Sequence, residues 1–262
     1  MISLGLFVVL LVLIILEKKK VINLSNMGAS IFMMISVSAV VGLYIYEWLC
    51  IIIRALANTF KSEVIDNLVT IDRSRGGLVV RLIMQIILFV PFAAAFIYII
   101  QHIVRKPLAR LETESDKDYS ERCTLRLLTL GIIAALLFAV SFVVMILLIA
   151  PYFDMLVNTF MAYFNPLMVF LALVFTFGLL LFFFCIAFVL KNSTLIVLLF
   201  SIGLFCTALY LFSLVFGIAS AVRAKKNGRL TSSQAVVYSL LSFLMGWNFV
   251  VYLVMRKKLK EK

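Results

Sequence analysis

Residues 127–150 read LLTLGIIAALLFAVSFVVMILLIA, twenty-four positions without a charge. As a helix, such a run extends about 36 Å at 1.5 Å per residue, more than the hydrocarbon core of about 30 Å. A barrel strand would alternate apolar and polar positions. A helix on a soluble domain would carry a polar stripe. This run does neither, so it predicts a helix surrounded by lipid.

Comparable runs occupy 2–16, 27–53, 82–104, 167–190, 194–222 and 235–255. Together they predict an all-α, polytopic transmembrane bundle of about seven spans, forming a single integral membrane domain over 1–262. The first run is short and needs the bilayer to thin, or Lys18–Lys20 to snorkel at its end. Composition agrees. Of 262 residues, 65% are hydrophobic and 14% charged, with a mean hydropathy of +1.19. Soluble domains carry about 45–50% apolar and about 25% charged residues. The shortage of polar surface excludes a soluble globular enzyme, a disordered chain and a collagen-like one. The gaps between runs are too short to fold a soluble domain.

Two segments predict interfacial helices. In 54–72, Leu56, Phe60, Val64, Leu68 and Ile71 recur at helical spacing with Lys61, Asp66 and Asn67 on other faces. In 151–165, Asp154, Asn158 and Asn165 form a narrow polar stripe among Tyr152, Phe153, Phe160, Tyr163 and Phe164. Aromatic rings favour the membrane–water boundary, so this helix is either a parked connection or a lid over an outward vestibule. Pro91, inside the third run, removes a backbone donor and marks a candidate hinge.

The net charge of +12 does not indicate nucleic-acid binding, because Lys and Arg sit almost wholly between apolar runs. With seven spans, fifteen basic residues fall on one side and nine on the other. The positive-inside rule then places the N-terminus outside and the C-terminus in the cytoplasm. The segment Arg223–Arg229 conflicts with this count. It is either an exception or the sign that a late segment is re-entrant. Compact loops suggest a bacterial cytoplasmic membrane. Cys50, Cys123, Cys185 and Cys206 are scattered without metal-ligand spacing.

Ionisable groups inside a membrane are costly and invite functional readings. Glu47 is the one acid within a span, and its expected partner is Arg81 or Arg54; alternatively it snorkels among Tyr44, Tyr46 and Trp48. Gln85 and Gln101 flank Pro91, and Asn248 interrupts the last run. These amides either bond between helices or line a polar path. Asp154 and Asn158 complete the candidate polar set. His102 is the only histidine, so a bis-His site within one chain is excluded. No HExxH, GxSxG or GxxxxGK[ST] pattern occurs. No catalytic residue, metal or cofactor is expected. Thr231–Gln234 reads as a capping box. Ser213, Gly217 and Ala221 place small residues on one helix face, suited to another span or another subunit. The mixed-charge segment 105–126 is a wet loop or a dock for a cytoplasmic partner. These features lead to the expectation of a non-enzymatic component of a membrane transport or export system. The alternatives are an assembly or regulatory protein with no transport path, or a lipid-modifying enzyme using Glu47, Arg81 and Asp154.

Overall fold

With no water in the hydrocarbon region, backbone groups must be satisfied within the segment itself. The computed structural model accordingly shows helices and no strand among its described residues, which are 2–19, 21, 26–60, 75–105, 108, 111–167, 169, 170, 173, 179–244 and 246–260. The helices are α1 (Ile2–Lys18), α2 (Met27–Phe60), α3 (Arg75–Arg105), α4 (Asp116–Ile149), α5 (Phe153–Tyr163), α6 (Leu179–Lys191), α7 (Ser193–Lys226), α8 (Ser232–Leu241) and α9 (Asn248–Lys260). Three helical stretches among the described residues are long and apolar enough to cross a membrane: Met27–Leu56, Asp116–Tyr163 and Ser193–Lys226. A shorter apolar stretch is Phe89–Arg105.

α4 begins where the sequence provides a cap. The Ser115 hydroxyl accepts from the Asp118 amide at 3.2 Å, and Asp116 and Asp118 place negative charge in the first turn. The helix packs antiparallel along α7. Ser120 meets Asn227 at one end, the Gly131 carbonyl meets Ser213 in the middle, and Phe138 shares a buried cluster with Cys206 and Leu209 further on. Around this pair, α1, α2 and α3 complete the main core, which includes Leu10, Met33, Val37, Ile99, Leu127 and Phe212.

Several helix ends converge on one end of the bundle, here called the basic end. Arg126 near the start of α4 donates to Ser30 near the start of α2 at 3.3 Å. Glu17 at the end of α1 meets His102 near the end of α3 at 2.8 Å. Arg223 near the end of α7 donates to the Val104 carbonyl of α3 at 2.6 Å. The opposite, far end joins the close of α4 to the opening of α7. There Tyr152 and Met155 line one cavity with Asn192, Thr194 and Leu195. A 3-10 turn at Ala150–Tyr152 leads into α5, whose Phe160 rests against Phe188 of α6.

The apolar run 235–255 is not one helix, contrary to its composition. It is divided between α8 and α9 by a turn in which Gly246 adopts φ +85°. That conformation is open to glycine and costly for most other residues. Before it, Thr231 and Gln234 form the expected capping box. The turn seats Phe243 against α7, its carbonyl accepting from the Tyr210 hydroxyl at 2.8 Å. α9 then returns, so that Leu259 shares a buried cluster with Leu230, Ala224 and Leu128. The two helices make a hairpin whose ends both lie at the basic end. Tyr210 stands sixteen residues before the close of α7, so the hairpin reaches about 24 Å along that helix.

Of the two segments expected as interfacial helices, 151–165 contains α5. In 54–72, residues 54–60 continue α2, and 61–72 lie outside the described residues.

Candidate functional site

The most buried polar network joins α4, α7 and α9. Asn248 is 1% exposed, and its Nδ2 donates to Ser213 Oγ at 3.2 Å. Ser213 Oγ donates to the Gly131 carbonyl at 3.0 Å. Tyr252 Oη donates to the Ser213 carbonyl at 2.9 Å. Gly217 leaves the space that Tyr252 occupies, and a Cβ there would fall far inside van der Waals contact with the phenol ring. The small-residue face Ser213, Gly217 and Ala221 is thus filled by the chain itself, since all three residues are buried against α4 and α9.

A second cluster holds the ends of α1 and α3. Glu17 is 8% exposed. One carboxylate oxygen meets His102 Nε2 at 2.8 Å and the other accepts from Tyr98 Oη at 3.1 Å. The Lys18 ammonium lies 5.9 Å from the Tyr98 ring centroid. Sequence reasoning missed this cluster. The available signal was an acid closing one apolar run and the only histidine closing another, with both ends assigned to the same side.

The basic end is ordered by polar pairs. Arg229 makes two bonds to Glu121, at 2.8 and 2.7 Å, which hold the Glu121 carboxyl below the usual carboxylate range. Ser120 donates to Asn227 Oδ1 at 2.6 Å, and Asn227 Nδ2 donates to Thr124 at 3.2 Å. Arg122 pairs with Glu114. These bonds fix the segment 111–126 against the turn that follows α7.

The described sequence candidates are distributed over α2, α3, α5 and α9. Glu47 is half-buried on α2, within electrostatic range of Tyr44. Glu47 and Arg54 both interact with neighbouring groups. Arg81 and Gln85 lie in α3, and their side chains fall outside the described set. Pro91 is half-buried inside α3, which runs through it. Asp154 and Asn158 are exposed one turn apart on α5. Asn248 enters the buried network that joins α4, α7 and α9. A cleft of about 190 Å³ opens between α2, α3 and α7, lined among others by Val41, Tyr44, Phe89, Phe96 and Leu211. Its lining suits a hydrocarbon chain better than a polar solute. Among the described residues no cluster of three His, Cys, Asp or Glu could hold a metal ion.

Three long apolar helices make this chain compatible with an integral membrane protein. Compared with known proteins, the chain matches no family model, no curated protein and no solved structure.

Proposed function

We propose that this chain is a non-enzymatic integral membrane protein that serves as an accessory or assembly component of a transport or export system, and is not itself the conduit. One observation carries the reading: Asn248, the amide best placed to line a path through the late helices, is 1% exposed and bonded to Ser213. Re-entrant segments that form pores turn polar groups toward a water-filled cavity. Here the hairpin turns its polar groups inward, while Val236, Val237, Leu240, Phe243, Leu244 and Trp247 are exposed. The bonded groups serve to hold helices together.

The membrane arrangement belongs to the same proposal. The ten residues of α8 extend about 15 Å, half of a hydrocarbon core. The hairpin enters and leaves at the basic end and does not cross. The segment between α4 and α7 starts and finishes at the far end, so it makes an even number of crossings, and 167–190 is not a lone span. Taking that number as zero, α1, α2, α3, α4 and α7 make five crossings. The flanking segments 17–26, 105–126, 223–234 and 256–262 contain 18 of the 24 Lys and Arg residues. The positive-inside rule then directs the basic end to the cytoplasm and the N-terminus outward. The short loops accord with a bacterial cytoplasmic membrane. A cytoplasmic partner would meet the ordered segment 111–126.

The test is thiol accessibility in intact cells, in a variant whose native cysteines are replaced. Single cysteines at Asn158, Asn227, Ser213 and Asn248 are treated with an impermeant reagent from outside, then with a small water-soluble reagent after permeabilisation. Asn158 should react first, Asn227 only after permeabilisation, and Ser213 and Asn248 in neither case. Reaction at Ser213 or Asn248 in a normally folded variant would restore the conduit reading. Outside reaction at Asn227 would overturn the five-crossing arrangement.

A further inference from the structure

Across residues 127–222 the sequence holds one basic residue, Lys191, and one acidic residue, Asp154. The structure puts Lys191 at a cavity of about 300 Å³ at the far end of the bundle. Lys191 and Asn192 join α6 to α7 there, and Tyr152 of the 3-10 turn and Met155 of α5 close the other side. Thr194 adds a hydroxyl, and Leu195 and Leu198 form an apolar wall along α7. The lining is divided. A cation, a phenol, an amide and a hydroxyl are followed along α7 by leucines on the side that leads into the bundle.

We propose that this cavity binds the phosphate headgroup of an anionic phospholipid, with the Lys191 ammonium as counterion. The proposal rests on the membrane reading above. Four observations support it. The volume is at the lower bound of small-molecule sites, about 300–1,000 Å³, which accommodates a headgroup and not a whole lipid. The Lys191 ammonium lies 5.9 Å from the Tyr163 ring centroid, so the ring of α5 helps to hold the cation near the mouth. Tyr152 and Thr194 provide hydroxyl donors, which a phosphate with only acceptor oxygens requires. Asn192 is 3% exposed, with its Nδ2 donating to the Phe188 carbonyl at 2.9 Å, so the joint that carries Lys191 is fixed by a buried bond. An acyl chain leaving the headgroup would run along Leu195 and Leu198. On this view α5 is neither a mere connection nor a lid over a vestibule. It is one wall of a lipid site.

The experiment uses the full chain in vesicles of phosphatidylcholine doped with a photoactivatable phosphatidylglycerol. Cross-linked peptides are mapped by mass spectrometry. Labelling is expected at 152–155 and 194–198. Removing one cation at a membrane surface weakens an anionic headgroup by roughly fivefold. Lys191→Gln should therefore reduce labelling of these two peptides by about that factor. Lys191→Arg should keep it, and labelling at the basic end should not change in either variant. Equal labelling in wild type and Lys191→Gln overturns the site. Competition by millimolar inorganic phosphate overturns the lipid assignment and makes free phosphate the ligand. If the chain does not float with the vesicles at all, the membrane reading fails instead, and that outcome is separate from failure of the site. A Lys191→Gln variant that does not float would leave the mapping to Thr194→Val, which removes one hydroxyl donor and should also lower labelling at 152–155.

Discussion

Substituting Gly217 by alanine tests whether the α8–α9 hairpin is held by close packing. The added methyl would meet the Cε1, Cζ and Oη atoms of Tyr252 far inside van der Waals contact. Tyr252 is itself 1% exposed and bonded to the Ser213 carbonyl at 2.9 Å. Its ring cannot swing aside without giving up that bond. Overpacking of a closed core costs about 1–3 kcal/mol. A lost hydrogen bond of this kind adds about 0.6–1.5 kcal/mol. The sum is about 2–4 kcal/mol, or roughly a 30- to 1,000-fold shift in the docking equilibrium of α9. Alanine is the better helix former, but α7 stays helical whether or not the hairpin is docked, so that gain cancels.

Hydrogen exchange in detergent micelles measures the shift directly. Amides of 248–260 should exchange faster by the factor given, while those in the middle of α4 should change little. The cause is isolated by repeating the substitution in a Tyr252→Leu background, where the atoms that meet the methyl are absent. There the further effect of Gly217→Ala should fall below about 1 kcal/mol. Wild-type exchange in the single variant, or the same increment in both backgrounds, would refute the reasoning.

Three other outcomes follow from the same geometry. A Cβ at Gly42 would lie 3.0 Å from the Ser201 carbonyl oxygen and 3.2 Å from Phe205 Cβ, whereas one at Gly203 would meet nothing within 4 Å; Gly42→Ala should therefore lower the melting temperature in micelles, and Gly203→Ala should hold or raise it, by up to about 1 kcal/mol of helix propensity. Glu17→Ala leaves Tyr98 and His102 without their shared acceptor and should loosen α1 from α3 by about 1–3 kcal/mol, measured as accelerated exchange in the last turns of both helices. Because Arg229 lowers the Glu121 carboxyl in the folded state, this pair stabilises the protein above the usual carboxylate range and loses its contribution as pH falls through the lowered value; Arg229→Gln should abolish that small acid-limb loss in melts run from pH 7 to pH 3.

The long apolar helices were legible, because they depend on composition along each run. Residues 127–149 and 194–222 lie within α4 and α7. The cap at Thr231 was legible because it is local chemistry. The division of 235–255 into two helices was not, because hydropathy does not report where the chain returns. A hairpin with an apolar outer face has the composition of a span. Its signs were Gly246, Trp247 and Asn248 in succession, set within an otherwise unbroken run. Glu17 with His102 depends on α1 and α3 ending side by side, which no single segment encodes. The candidate polar residues were chosen as costly groups in lipid, and for Asn248 that cost is met by Ser213.

The charges held the information that the apolar runs lacked. A seven-span count divides Lys and Arg fifteen to nine and leaves Arg223–Arg229 on the wrong side. Returning 235–255 to the side it came from, and leaving 167–190 at the far end, divides them eighteen to six. The proposed arrangement rests on two contacts, Tyr210 with Phe243 and Tyr152 beside Asn192 at one cavity, and an uneven division of charge is what the positive-inside rule asks of it. Between residues 127 and 222, Lys191 is the one basic residue of the sequence.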